Sequence, residues 1–167
     1  EPGQSVKATF RDQPLFVKRM APEEISEVQA VDINVGMNGG WFDPNTAGQG
    51  FLLDVLPNPE GGNFLFLAWF TYGDDTASGQ RWLTAQGPYT GNTANLTLFV
   101  TRGGVFDAPG PAAETDPSGD GYLTLEFADC YEGLVTYEIT SAGLAGEIPI
   151  QRIVGDNVAL CTALDAR

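Results

Sequence analysis

The sequence predicts an all-β fold, an antiparallel β-sandwich or barrel of about eight to ten strands with an N-terminal arm. Three observations carry this expectation. Short alternating or continuous apolar runs recur through residues 39–167, each bounded by glycine, proline, asparagine or aspartate. No convincing long stretch repeats its apolar residues at helical spacing. The chain also holds 21 glycines and 11 prolines in 167 residues, a composition that favours many turns. That length suits one domain with a real core, and an apolar fraction of 43% argues against wholesale disorder.

Residues 1–38 read as an arm. In Ser5–Phe10 the residues Val6, Ala8 and Phe10 share one face and Ser5, Lys7 and Thr9 the other. Leu15, Phe16 and Val17 follow a break expected at Pro14. Pro22 with Glu23 and Glu24 suits one or two helical turns across residues 21–28, and alternation returns at residues 30–35.

The β domain is expected over residues 39–167, opening with a glycine-rich turn, Gly39–Phe51. Gly50–Leu56 reads as a strand and residues 57–62 as a turn. Phe64–Tyr72 (FLFLAWFTY) is the strongest strand, and its continuous apolarity implies burial on both faces or cover by an aromatic layer. A polar hairpin loop at residues 73–79 turns it back into Arg81–Gln86. Further strands are expected at Thr93–Thr101, Tyr122–Phe127, Leu134–Ile139 and Glu147–Ile153, with a last short one near Val158–Cys161. Gly103–Gly121 reads as a long loop.

Composition narrows the chemistry. Histidine is absent, which excludes a Ser-His-Asp, Cys-His or His-bearing zinc site within this chain. Acids outnumber bases 22 to 8, and residues 39–167 carry sixteen acids against Arg81, Arg102, Arg152 and Arg167. A phosphate backbone is repelled by such a surface, so no nucleic-acid partner is expected. The ordinary meaning of the acidity is solubility; the functional one is calcium on acidic loops, at Asp74–Gly79 or Asp116–Gly121. Neither loop matches a twelve-residue calcium-binding helix–loop–helix, and Asp-Gly turns are common for backbone reasons, so no metal and no cofactor are assigned.

Asp54, Glu126, Glu138 and Glu147 are strand carboxylates that a glycosidase would need to bring into one cleft. Outward acids on alternating strands explain them equally well, and no enzyme activity is expected. Trp41 and Trp82 are the candidates for ligand stacking, with Tyr72, Tyr89, Tyr122, Tyr131 and Tyr137 as further aromatic surface, whereas Trp69 reads as core. Asn95-Leu96-Thr97 fits a glycosylation pattern but lies within an expected strand.

Cys130 and Cys161 are separated by 31 residues, each at the end of an apolar run. They are either two buried thiols or a disulfide, which would contribute roughly 3–4 kcal/mol. The sequence starts Glu1-Pro2-Gly3, as after removal of a leader, and the longest apolar run, Phe64–Phe70, is too short to cross a bilayer as a helix. An exported, extracellular or cell-surface setting is therefore expected.

Gly40-Trp41-Phe42-Asp43-Pro44 followed by Gly48-Gln49-Gly50-Phe51 resembles the G-x-W-[YF]-[ND]-P-x-x-x-G-x-G-[FW] opening of an uncharacterised β domain found in exported proteins of Gram-negative bacteria. Ala68–Tyr72, Arg81-Trp82 and Gln86-Gly87 are similar to its central hairpin. Cys130, Leu134, Tyr137, Ile148–Arg152 and Cys161 are similar to its closing segment, so the resemblance spans about residues 39–161. It implies an exported β domain with a Cys130–Cys161 disulfide and carries over no catalytic residue.

The leading functional expectation is a non-enzymatic extracellular structural subunit. Its arm, through Val6, Ala8, Phe10, Leu15 and Val17, would either add a strand to a neighbouring copy and so build a filament or add edge strands to its own barrel. The alternative is a carbohydrate- or ligand-binding β module using Trp41 or Trp82.

Overall fold

Eight antiparallel strands close into a barrel in the computed structural model, which describes residues 5–10, 13–18, 35–58, 62–73, 79–107, 109–110 and 112–165. The chain divides into two compact units, Glu1–Asp32 and Ile33–Arg167. In the first, β1 (Ser5–Phe10) pairs antiparallel with β2 (Gln13–Lys18) from Ser5↔Lys18 to Phe10↔Gln13. Pro14 lies inside β2, opposite Thr9, and does not break the strand. A two-stranded ribbon consists only of edges, where a missing N–H is tolerated. The side chains of Val6, Ala8, Phe10, Leu15 and Val17 lie outside the described part, as do the helical turn expected at residues 21–28 and the alternation through residue 34.

In the second unit the ring runs β3 (Gly39–Phe42), β4 (Gly50–Pro57), β5 (Asn63–Tyr72), β6 (Gln80–Thr90) and β7 (Thr93–Arg102). It continues through β9 (Gly121–Phe127), β10 (Glu132–Ile139) and β11 (Leu144–Arg152), which returns to β3. Every ring strand pairs with its neighbours along the chain, an up-and-down order. A ninth strand, β8 (Glu114–Thr115), lies in the long loop expected from residue 103 to 121 and adds to the end of β7 through Thr101↔Thr115 and Arg102↔Glu114.

Alternation decides what lies inside. Leu53 and Val55, Leu65 and Leu67, Leu83 and Ala85, Leu96 and Leu98, and Leu123 and Leu125 all point inward and are buried. The same alternation carries β6 four residues past the expected end at Gln86, because Tyr89 continues the inward series begun by Leu83 and Ala85. Two aromatic layers fill the lumen. Phe51 stacks on Trp69 at 5.3 Å, and Trp69 meets the edge of Tyr137 at 4.9 Å. Nearer the end where β3 starts, Trp41 lies 5.1 Å from Phe127, which meets Tyr89 at 6.0 Å. An eight-stranded barrel is just wide enough for its own side chains, and this one is packed with them.

That end is plugged by a short 3₁₀ turn (Val35–Met37) and by α1 (Val158–Asp165). The residues ahead of the expected boundary at Gly39 thus belong to the barrel unit: Met37 is buried, and its carbonyl accepts the Trp41 indole N–H at 3.1 Å. The strand expected at Val158–Cys161 is instead a helix. Asp156 and Asn157 supply a polar start, and Val158, Cys161 and Leu164 recur every three residues on one face. Gly36 packs so closely on this helix that a β-carbon there would fall 2.4 Å from the Cys161 Cα. Cys130 and Cys161 form a disulfide, Cα–Cα 5.9 Å, which ties α1 to the β9–β10 turn.

Arg152 locks the plug. Its buried guanidinium donates to the carbonyls of Cys130, Asn38 and Gly36 and sits 4.5 Å above the Trp41 ring. Burial lowers its pKa from the ordinary value, opposed by Asp156 and Tyr131.

The ring closes through a short seam. β3 meets β11 only at Gln151↔Phe42 and Arg152↔Trp41, and β4 only from Gly39↔Leu53 to Trp41↔Phe51. Arg152 N–H bonds to Tyr131 on the β10 side, and Ile153 N–H bonds to Gly40 on the β3 side. By that parity the odd residues of β11 face the seam, which places Pro149, without an N–H, at its open stretch.

Candidate functional site

The structure separates the two tryptophans that sequence reasoning paired. Trp41 is 0% exposed, covered by Arg152 and Phe127, and cannot stack on a ligand. The reason is the apolar plug at residues 35–37 and α1, which turns a residue in a surface-looking glycine-rich segment into the floor of the barrel. Trp82 is 65% exposed on the outer face of β6. The tyrosines disperse. Tyr89 is buried and Tyr137 faces the interior, Tyr122 and Tyr131 are exposed elsewhere, and Tyr72 alone lies near Trp82.

Around Trp82 the outer wall of β4–β6 exposes a run of large apolar side chains. Leu52, Leu56, Phe66, Phe70, Tyr72 and Trp82 all remain solvent-exposed. Cross-strand register sets them in rows: Phe70 beside Trp82, Ala68 between Leu52 and Thr84, Phe66 between Asp54 and Gln86, and Phe64 between Leu56 and Pro88. From Phe64 to Tyr72 the strip is about 27 Å long at the strand rise. Three strands wide, the strip spans on the order of 400 Å², with Asp54, Thr84 and Gln86 set among its apolar side chains.

The upper end of the strip is a shallow groove of about 460 Å³, lined by Gly48, Phe70, Thr71, Tyr72, Gln80 and neighbouring Arg81 and Trp82. Phe70 and Trp82 incline towards each other at 37° with centroids 5.9 Å apart. The third side is the turn between β3 and β4. Asp43 holds that turn by accepting the Asn45 N–H at 2.9 Å, and Thr71 Oγ donates to Gln49 Oε1 at 2.6 Å. Gly48, at φ +70°, passes directly beneath the Tyr72 hydroxyl, where a β-carbon would sit 2.4 Å from the oxygen. The glycine-rich segment that opens the β domain is therefore one wall of this groove.

Of the remaining candidates, the strand carboxylates do not converge, whereas Asp116 and Asp120 line one open pocket of about 650 Å³ with Arg102, Glu114 and Ser141. Asp54, Glu126, Glu138 and Glu147 all lie on the convex outer face, Asp54 on β4 and the others across the β9–β11 wall, and no cleft brings a pair together. Asp54 accepts from the Asn38 amide at 3.1 Å. In the acidic loop, Asp116 accepts the Ser118 N–H, and Asp120 accepts both the N–H and the hydroxyl of Ser141, which also takes a bond from Arg102. These carboxylates build turns. Residues 74–78 of the other acidic loop lie outside the described residues. Among the described residues one grouping has metal-ligand composition, Cys130, Cys161 and Asp165, but both sulfurs are consumed by the disulfide. Asn95 lies on the outer face of β7 and accepts from the Thr124 hydroxyl at 3.3 Å.

Sequence reasoning found Trp82 and missed Phe66, Phe70, Leu52 and Leu56. The signal was present in Phe64–Tyr72. Once Leu65, Leu67 and Trp69 take the interior, Phe64, Phe66 and Phe70 must face outward. No family model, curated protein or solved structure matches this chain. The fold and the surface define a closed, solid eight-stranded barrel with one aromatic outer wall.

Proposed function

We propose that this chain is a non-enzymatic binding module of an exported protein, using the outer wall of β4–β6 as its contact surface. The observation that carries the reading is the run of exposed Leu52, Leu56, Phe66, Phe70, Tyr72 and Trp82 on one wall. The packed lumen favours an external surface over an internal ligand cavity, and the scattered carboxylates favour binding over hydrolysis. The Cys130–Cys161 disulfide fits an oxidising compartment, and the likeness of the Gly40–Phe51 segment to exported β domains points the same way.

The assay is acrylamide quenching of tryptophan fluorescence in the full chain. Trp41 and Trp69 are buried at 0% and 5%, so the quenchable emission belongs to Trp82. A Trp82→Phe variant supplies the subtraction. A Trp82 signal that resists quenching in the unliganded protein means the wall is already covered, and the reading fails.

A second reading has one observation in its favour. The arm forms its own unit with a β1–β2 ribbon, as a structural subunit assembling through its N-terminal extension would need. The open stretch of β11 beside the short seam is the barrel edge an incoming strand would meet, and Pro149, which lacks an N–H, weakens it for strand addition. Light scattering and negative-stain microscopy of the full chain separate the two: filaments favour the second reading, a stable monomer the first.

A further inference from the structure

Within the proposed contact wall, and resting on that reading, we infer that the groove at Trp82 is a subsite for a neutral, linear glycan. A sugar ring stacks its C–H face on Trp82 and is flanked by Phe70 and Tyr72, while its hydroxyls meet Gln80 and the tyrosine oxygen.

The chemistry on the wall is mixed in the way such a ligand requires. Apolar ring faces alternate with amide, hydroxyl and carboxylate groups in the same cross-strand rows: Trp82 and Phe70 in one, Thr84 in the next, Gln86 and Asp54 in the third. A sugar presents both kinds of surface at once, an apolar C–H face and a rim of hydroxyls. An aromatic face supplies flat contact at little cost in rotamer freedom, and the amides pair with the hydroxyls. The aromatic strip also runs lengthwise along β5, which suits an extended chain.

Competing occupants fit less well. A membrane would desolvate Asp54, Thr84 and Gln86, which share these rows and would lose their water without gaining partners. Its anionic surface would also meet a barrel carrying sixteen acids against four arginines after residue 38. The barrel's net charge disfavours uronate polymers and nucleic acids over most of its surface, while among the described residues Arg81 is the one charged residue lining the groove itself. A second copy brings the same negative charge. A neutral glycan carries none of these penalties.

Gly48 sets the height of the groove. With no β-carbon it lets the Tyr72 hydroxyl lie against the β3–β4 turn; alanine there would push the phenol outward and narrow the groove. Gly48 is thus a positioning residue, acting through Tyr72.

The test uses the full chain with cellohexaose, xylohexaose and N-acetylchitohexaose as neutral probes and polygalacturonate as the anionic one. Binding is read by protection of Trp82 from acrylamide and by isothermal titration. We expect at least one neutral oligosaccharide to bind and protect Trp82. Trp82→Ala then weakens it at least tenfold, Trp82→Phe keeps part of the affinity, and polygalacturonate does not bind. Gly48→Ala weakens the same sugar several-fold while leaving Trp82 itself quenchable in the free protein. Three outcomes overturn the inference: no protection by any neutral probe although Trp82 is quenchable, binding that Trp82→Ala leaves unchanged, or preference for the polyanion. A Trp82 that cannot be quenched before any sugar is added overturns the wall as a contact surface, a different failure from the absence of glycan binding.

Discussion

Replacing Arg152 with methionine tests the plug directly. The substitution keeps the length and apolar volume of the side chain and removes its donors. Three carbonyls accept from the guanidinium; Asn38 O retains a second donor in the Asn157 amide at 3.0 Å, so Gly36 O and Cys130 O lose theirs. A buried acceptor left without its partner costs about 1–3 kcal/mol. The cation over Trp41 adds about 1–2 kcal/mol in a desolvated setting. Against this, the variant no longer desolvates a charge, which returns part of the loss. The balance is a destabilisation of about 2–4 kcal/mol, a large share of the 5–15 kcal/mol typical of a folded domain. With a urea m-value of about 2 kcal/mol/M, the unfolding midpoint should fall by about 1–2 M, read by tryptophan fluorescence and near-UV circular dichroism. Arg152→Lys should recover less than half, because one ammonium cannot reach three carbonyls in the fork geometry of a guanidinium. A midpoint within about 0.3 M of the parent for Arg152→Met would refute the view that this residue holds the plug.

Further outcomes follow from the same geometry. Removing the disulfide by Cys130→Ala with Cys161→Ala should cost roughly 3.7 kcal/mol by the chain-entropy relation for the 31-residue separation, measured as a urea midpoint shift of the oxidised parent against the double variant. Because Arg152 bonds the Cys130 carbonyl, this loss and that of Arg152→Met should be non-additive in a double-mutant cycle; strict additivity would mean the two contacts act independently. Trp41→Ala should cost about 3–5 kcal/mol whereas Trp82→Ala changes stability by less than about 0.5 kcal/mol, a contrast that thermal melts resolve at once. Gly36→Ala, whose β-carbon would meet the α1 backbone, should cost about 1–3 kcal/mol and raise amide exchange in residues 158–165 before it raises exchange in β5.

The barrel was legible where period 2 is strong. Thr93–Thr101 and Tyr122–Phe127 read as strands because their alternate positions are apolar, and Phe64–Tyr72 because it is apolar throughout; all three are strands to within a residue or two, but the outer face of Phe64–Tyr72 is exposed and not buried as expected. The sequence left sandwich and barrel as alternatives, since closure depends on β3, four residues long, meeting β11 from across the chain. Val158–Cys161 was misread because four apolar-leaning residues fit either period; only the spacing out to Leu164, with Asp156 and Asn157 ahead of it, marks a helix. At the site, Trp82 is exposed as its reading as a stacking candidate requires, and Trp41 is not. A tryptophan in a glycine-rich turn looks exposed until the 3₁₀ turn and α1 are folded over it. Arg152 was read only as one of four late arginines and as the end of the Ile148–Arg152 segment, because its role appears only when Gly36 and Cys130 are brought to it by the fold.

The plug also fixes how the barrel would respond to mechanical load. The 3₁₀ turn at Val35–Met37 and the helix at Val158–Asp165 leave from the same pole and pack on each other. Tension entering near residue 35 and leaving near residue 165 is carried across that pole by the Arg152 clamp and the covalent Cys130–Cys161 link. The pulling direction does not run through the β4–β6 wall. Load that peeled β3 from the short seam would also shift the β3–β4 turn, so the pole and the Trp82 groove are mechanically linked through one short strand.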